Sequence, residues 1–469
     1  MRFNYLLVPA TIAALSGGSL EAYAQTPIKA DDMPQQWQYT EMYDQTMPTS
    51  DTWWKEFGDP VLDSLISVGV SNNYDVLTAG RRIDMARQAL RQTKSAYYPT
   101  FTANGGWTAN RSSGMTAKHP DAASTMSYFD LGVDMNWQID VFGKITARAK
   151  ESKAQFEATS AEYSAMMVTV SAKIATAYMQ LRTLQTEVDV LNRHIAQQKR
   201  VADITNARHE AGLASMLDVS QALTTYYSTK AAMQQLNTGI TTTINAIAVL
   251  TGTFPDDITQ MLSRPMPMPA YQKIVAVGMP MDLLRRRPDV AEAEYTLAGY
   301  AAALGVAKKD FLPTLSLSGS IGTAAHDASD MFGKHSYTYT VAPTLSWTIF
   351  DGMNRNAAMA SARRQMEAGI DNYNNTVLTA VQEVDNAMAT YYNNVKYIEM
   401  VNQVVEQAEK AFDLSIDLYK QGLTDFVNVS NSQISYLTYS NELVEAKGQA
   451  LSALVNLYQA LGGGWVSNQ

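Results

Sequence analysis

The chain of 469 residues has no cysteine, which removes disulfides, thiol catalysis and cysteine-ligated metals. Histidine is scarce, with only His119, His194, His209, His326 and His335. Three of these fall in expected loops between strands and two on an expected long helix outside its apolar seam, so no metal site is expected. Basic residues number 36 against 45 acidic ones, for a net charge of −9. That balance argues against a nucleic-acid partner, because phosphate binding needs clustered Lys and Arg. Beyond the first 24 residues there is no run of 18 apolar residues, so no segment is expected to cross a membrane as a helix. No constellation of nucleophile, base and acid stands out either, so neither an enzyme nor a cofactor is expected. With 46% hydrophobic and 17% charged residues, the chain is not disordered.

The N-terminus indicates export. Arg2 precedes an apolar stretch from Tyr5 to Leu15, and Ala22-Tyr23-Ala24 follows before Gln25. This reads as a secretory signal over 1–24 with an A-x-A cleavage site. An exported chain without a spanning helix can cross a membrane only with strands, and four segments have the required pattern. In 98–110, 128–140, 311–322 and 337–349, apolar residues fall on odd numbers and polar ones on even numbers. Phe129, Leu131, Val133, Met135, Trp137 and Ile139 oppose Asp130, Asp134, Asn136, Gln138 and Asp140. Tyr337, Tyr339, Val341, Leu345, Trp347 and Ile349 oppose Thr338, Thr340, Thr344, Ser346 and Thr348. Side chains alternate across a strand, so each segment has a lipid-compatible face and a wet one, with aromatics near the ends as in membrane barrels.

An offset of 210 maps the chain onto itself. Trp137 meets Trp347, Gly212-Leu213 meets Gly422-Leu423, and Asp218-Val219-Ser220 meets Asn428-Val429-Ser430. The expected organisation is an N-terminal segment 25–59, a first repeat 60–263, a linker 264–281, a second repeat 282–463 and a tail 464–469. Each repeat holds a helix, two strands and a long helical hairpin, over 145–251 and 355–461. The seam Tyr163, Met167, Val170, Ile174, Ala177, Leu181, Leu184, Val188, Leu191, Ile195 steps by three and four residues, as does Tyr373, Val377, Ala380, Val384, Ala387, Tyr391. That repeat makes a coiled-coil seam, in which methionines such as Met167 and Met233 are core filling. Each long helix stops at a Gly-Leu, where Gly suits the left-handed position after a helix end. The helices 60–97 and 282–311 are short enough to stack end to end with the returning arms of the hairpins. The charged run Asp282 to Asp289 reads as a helix start, with Arg285, Arg286 and Arg287 exposed and Pro288 in the first turn.

Four strands cannot close a barrel, and an open edge in lipid leaves unpaired backbone groups, so closure requires further copies. Two, three or four copies would supply eight, twelve or sixteen strands. The duplicated strand-strand-helix unit, the Gly-Leu turns and Asp282-Leu283-Leu284-Arg285-Arg286-Arg287-Pro288-Asp289-Val290 together resemble the TolC-type outer membrane efflux proteins. Within these, the outer membrane factors of resistance-nodulation-division pumps are the nearest in pattern. The resemblance implies a mainly α fold with a transmembrane β-barrel: a homotrimer with a twelve-stranded barrel continued by a periplasmic helical tunnel. The tunnel would dock a periplasmic adaptor protein and an inner-membrane transporter, with outer membrane lipid around the barrel and no nucleic acid. It implies docking tips at Gly212, Leu213, Gly422 and Leu423. Carried over by position, the gate falls on Val427, Asn428 and Asn431, with a link between Asp218 and Tyr419. Many relatives have Asp at the two constriction positions that are Asn here, which speaks against an acidic gate. Strand parity points Asp130 and Asp134 into the lumen. Many such factors are lipidated on a cysteine; this chain has none, so no lipid anchor is expected. An outlet for type I protein secretion, or an exported structural coiled-coil protein, remains an alternative at this point.

Overall fold

A computed structural model describes residues 26–113, 115, 125–270 and 274–463. The expected signal and tail, and His119, lie outside the described residues. In chain order the elements are β1 (Tyr43–Asp44), α1 (Pro60–Asn72), α2 (Tyr74–Ser95), β2 (Thr100–Arg111), β3 (Thr125–Ile139), α3 (Lys144–Glu210), α4 (Met216–Thr251) and α5 (Pro255–Leu262). There follow β4 (Val275–Ala276), α6 (Leu283–Arg286), α7 (Pro288–Lys309), β5 (Thr314–Ala325), β6 (Tyr337–Ser346), α8 (Asn354–Lys420) and α9 (Phe426–Ala460). No helix among the described residues is long and apolar enough to cross a membrane.

The four long strands form one antiparallel sheet in the order β2-β3-β5-β6. Its register sets odd residues against odd ones, as in the row Ala103, Val133, Ile321, Tyr339. The apolar side chains therefore share one face across all four strands. The third strand starts at Thr314 rather than 311, because Pro313 has no N–H for the ladder and Leu312 N still closes the turn on Lys309 O (3.0 Å). The fourth ends at Ser346, where Trp347 Nε1 turns back to donate to Phe311 O (3.0 Å).

Helices α3 and α8 are each 67 residues long, about 100 Å at 1.5 Å per residue. Both hairpins turn through a left-handed glycine, Gly212 (φ +74°) and Gly422 (φ +73°). Leu213 N reaches Arg208 O at 2.8 Å and Leu423 N reaches Leu418 O at 2.9 Å, the six-to-one bonds of a Schellman cap. The shorter helices stack in pairs. Asn73 caps the start of α2 with its Oδ1 and donates Nδ2 to Leu250 O at the end of α4 (2.9 Å). In the second repeat Arg287 Nη1 donates to Ala460 O at the end of α9 (2.8 Å).

Arg287 corrects an expectation. It is 8% exposed, forks onto both carboxylate oxygens of Asp289, and reaches Glu383 Oε2 at 2.6 Å. The helix start at Pro288 is there, but its last arginine is a buried clamp between two stacked helices. Arg286 also has a partner, Asp51.

Helix α3 packs on α2 and α4 along one side and on α7 and α9 along the other, and α8 packs on α7 and α9. The helices thus form four columns, α2/α4, α3, α7/α9 and α8, in the same order as the strands they continue. The main core sits at mid-height around Trp53, Tyr178, Met388, Tyr391 and Tyr458, and a smaller one lies at the hairpin tips. The N-terminal segment and the linker belt the middle. They meet in the parallel β1–β4 pair, with Trp37 Nε1 donating to Gly278 O (2.9 Å) and Tyr43 Oη to Met388 O.

Candidate functional site

The sheet carries the two faces a membrane pore wall needs. Phe101, Trp107, Leu131, Val133, Ile321, Tyr339, Val341 and Leu345, all odd, are exposed in the single chain. On the even face Asn104 Nδ2 donates to Asp134 Oδ2, and Asp134 lies in the row Thr102, Ser320, Thr340. Asp130 lies beside Gly106 on the same face. The lower end of the sheet is pinned twice by the duplication: Trp137 Nε1 donates to Tyr97 O (2.9 Å) as Trp347 does to Phe311 O. Indoles with an apolar body and one satisfied N–H suit a lipid–water boundary.

At the far end from the strands, the hairpin turns present Leu213 and Leu423, 66% and 69% exposed. Val427, Asn428 and Asn431 are exposed on the first turns of α9, and Asn428 Nδ2 donates to Thr424 Oγ1 (2.8 Å). The structure does not join Asp218 to Tyr419 within one chain. Asp218 is the third residue of α4, and its Oδ2 accepts from Ser215 N (3.0 Å) while Ser215 Oγ accepts from Asp218 N (3.2 Å). That reciprocal capping box commits the carboxylate to its own helix start. Tyr419 is instead buried in the tip core with Phe426, Phe412 and Val201. The Arg208 guanidinium covers its ring at 4.7 Å, and Arg208 Nη1 donates to Lys420 O (3.0 Å). Sequence reasoning passed over Arg208. The signal was a break in the duplication: Arg208-His209 stands where the second repeat has Leu418-Tyr419.

Among the described residues the histidines belong to no metal-holding group. His209 Nδ1 lies 2.9 Å from Ala214 O in the first turn, and His326 Nδ1 2.6 Å from Ser127 O at the top of the sheet. His194, expected outside the helix seam, is 3% exposed and sits edge-on to Tyr436 of α9 (4.7 Å). Burial, with Arg193 adding to it, pushes its imidazole down to about 4. Two turns away, burial and then the nearby Glu445 push Glu187 up to about 7. Among the described residues no group of His, Cys, Asp and Glu is placed to hold a metal ion.

The model of the family described as outer membrane efflux protein matches residues 65–253 and 279–463, one match for each repeat. The toluene efflux pump outer membrane protein TtgC of Pseudomonas putida is 26% identical over 471 residues, covering 99% of this chain and 96% of that protein. The solvent efflux pump outer membrane protein SrpC of Pseudomonas putida is 28% identical over 415 residues, covering 88% and 87%. Among solved structures, the outer-membrane channel OprN superposes with a TM-score of 0.87 at 29% identity, covering 92% of this chain and 97% of that one.

Proposed function

Because the chain belongs to the outer membrane efflux protein family, we propose that three copies of it close into the exit duct of a tripartite efflux pump. It is an outer-membrane channel that extends into the periplasm, and it carries solutes passively. The pump partners are a periplasmic adaptor and an energised inner-membrane transporter. The cargo is small molecules of the kind for which the relatives are named, such as solvents.

One observation carries this reading. The sheet is open at β2 and β6, and the helical wall is open at α2/α4 and α8, on the same two sides. A second copy that pairs β6 with its own β2 therefore also lays its α2/α4 column beside α8. Closure in lipid is obligatory, and it closes the tunnel at the same time. The even face then lines the barrel, and Asp130 and Asp134, repeated around the axis, favour cationic solutes. At the other end Gly212, Leu213, Gly422 and Leu423 meet the adaptor, and Asn428 and Asn431, with Val427 beside them, ring the narrowest passage with amides.

The test is complementation of a cell that lacks its own exit duct but retains adaptor and transporter. Wild-type protein should restore resistance to the pump's substrates. Gly422→Val strains a left-handed position and should leave the trimer but lower efflux and adaptor cross-linking. Full activity and cross-linking of Gly422→Val would remove the docking assignment; no trimer and no complementation by wild type would remove the duct.

A further inference from the structure

The helical wall holds an unfilled cleft at mid-height, on the side away from the belt. We propose that this cleft is a lumenal subsite for small anionic amphiphiles, solutes with an apolar body and one carboxylate, and that Lys173 holds the anion. Its place in the tunnel rests on the exit-duct reading above; the class of solute goes beyond that reading.

Three helices enclose the cleft. Its floor is α3, its sides are α4 and α9, and its volume is about 620 Å³. Ala172 and Ala177 on α3, with Ala246 and Leu250 on α4, give it an apolar lining that leaves the space between the helices empty. Thr176, Gln180 and Asn456 add a hydroxyl and two amides, and Lys173 is the single charged residue of the lining. Lys173 is exposed, and among the described residues it makes no ion pair. An unpaired cation beside an apolar floor is complementary to a carboxylate on an aromatic or short aliphatic body, and it repels a cationic solute. The phase of α3 fixes which way the cleft opens. Lys173 and Arg182 are two and a half turns apart at about 3.6 residues per turn, so they leave opposite sides of the helix. Arg182 Nη1 donates to Arg264 O in the linker (3.2 Å), and Tyr178 Oη, a turn earlier, donates to Asp59 at the start of α1. The belt thus covers the side opposite the cleft. On the cleft's side α4 and α9 meet across α3, as columns once removed do on the concave side of a curved wall. In the closed ring that side is the tunnel, and three copies set three clefts around it.

The duplication explains why this cation is left over. Glu383 stands where the first repeat has Lys173. Arg287 reaches Glu383 Oε2 at 2.6 Å while its Nη1 donates to Ala460 O. The counterpart of Arg287 is Asn73, because ahead of the strands the offset is 214, as between Pro99 and Pro313. Asn73 donates to Leu250 O as Arg287 does to Ala460 O, but it carries no charge to the helix beside it. The second repeat therefore neutralises its wall residue from within, and the first presents a cation with nothing opposite. A solute that completes the site must bring the negative charge. The cleft thus selects the sign opposite to that favoured by Asp130 and Asp134 in the barrel.

The experiment is fluorine NMR of the full-length trimer in neutral detergent. The probe is para-fluorobenzoate, with para-fluorobenzyl alcohol as its uncharged match and empty micelles as the baseline. The benzoate signal should broaden with wild type and with Lys173→Arg. Lys173→Gln should bind benzoate about tenfold more weakly, as the loss of one charge-assisted hydrogen bond implies, and should treat the alcohol as wild type does. Ala246→Phe fills the cleft from an exposed position and should abolish the broadening of benzoate. All variants should still run as heat-modifiable trimers, which separates loss of the site from misassembly. Equal benzoate binding by wild type and Lys173→Gln would overturn the subsite, as would undiminished binding by Ala246→Phe. A wild-type protein that forms channels in planar bilayers but binds no benzoate would also overturn the subsite and leave the duct standing. One that forms neither trimer nor channel would instead overturn the duct reading, so the two failures are distinguishable.

Discussion

Met353 stands where the first repeat has Gly143, and both hold φ near +70° at the start of a long helix. A non-glycine residue there costs on the order of 1 kcal/mol. Met353→Gly should raise the midpoint of thermal unfolding, whereas Gly143→Met should lower it by the strain and by pushing Lys309 Nζ, 2.8 Å from the new Cβ, off its bond to Gly143 O (2.7 Å). Equal midpoints for wild type and Met353→Gly would show that the strain is relieved elsewhere. Residues on the sheet are tested by their parity. Leu131→Arg or Val133→Arg places a charge on the apolar face and should cost roughly 2–4 kcal/mol near the bilayer midplane, blocking insertion in an outer-membrane fractionation. Asp134→Ala, on the even face, should insert normally. The parity of these side chains was legible in the sequence because a period of two needs nothing but the order of residues. Arg287 was not, because the clamp depends on two helices that meet only after α9 has returned from the tip.

At the scale of elements, α3 and α8 have the same length but not the same burial. Helix α8 buries one seam, with Tyr373, Val377, Val384, Tyr391, Ile398 and Val401 against α7 and α9. Helix α3 lies between two columns and buries a second face as well, through Ala154, Ala158, Ala161, Val168, Ala175, Arg182 and His194. Hydrophobic periodicity found the first kind of seam and overlooked the second, which is made of small and polar residues. The overlooked face holds Glu187 and His194, and it titrates. His194 is pushed down to about 4, so it is neutral when packed, and stability is lost as pH falls from its ordinary value near 6.5 toward 4. Glu187 is pushed up to about 7, so it is protonated when packed, and stability is lost as pH rises from its ordinary value near 4.5 through 7. Each effect is on the order of 1–3 kcal/mol, and the two slopes oppose each other between about pH 4.5 and 6.5. Glu187→Gln removes one of them. This variant should melt above wild type at pH 8, and should lose stability more steeply than wild type on acidification below 6.5. Circular dichroism melts across this range would detect it; a difference from wild type that does not change with pH would reject the assignment.

At the scale of the molecule, the duplication explains why one chain makes a wall with two open sides. Its repeats each give two strands and two helical columns, so the order of the sheet and the order of the columns agree. The offset of 210 made that much readable, since it sets Trp137 over Trp347 and Gly212 over Gly422. The number of copies was not readable from spacing, because closure depends on how far each wall curves. The open side of α8 shows what must cover it. Met400, Val404, Leu414 and Leu418 lie on one heptad stripe, with Gln407 and Ala411 at the positions between, and all four are exposed in the single chain. They lie off the buried seam that faces α9. A stripe of this kind is a coiled-coil face without its partner, and the α2/α4 column of a neighbouring copy is the element that ring closure brings to it. Burying a large apolar side chain contributes roughly 1.5–3 kcal/mol, and threefold closure would repeat each such contact three times. Met400→Glu with Val404→Asp should therefore leave the fold of the chain intact, because the mid-height core and α8's own seam are untouched, yet prevent the trimer. The expected result is normal helical content by circular dichroism with loss of the heat-modifiable trimer band. Glu406→Gln, off the stripe and paired with Lys410 on its own helix, should assemble like wild type. A trimer of undiminished stability in the double variant would mean that the copies meet through their strands alone.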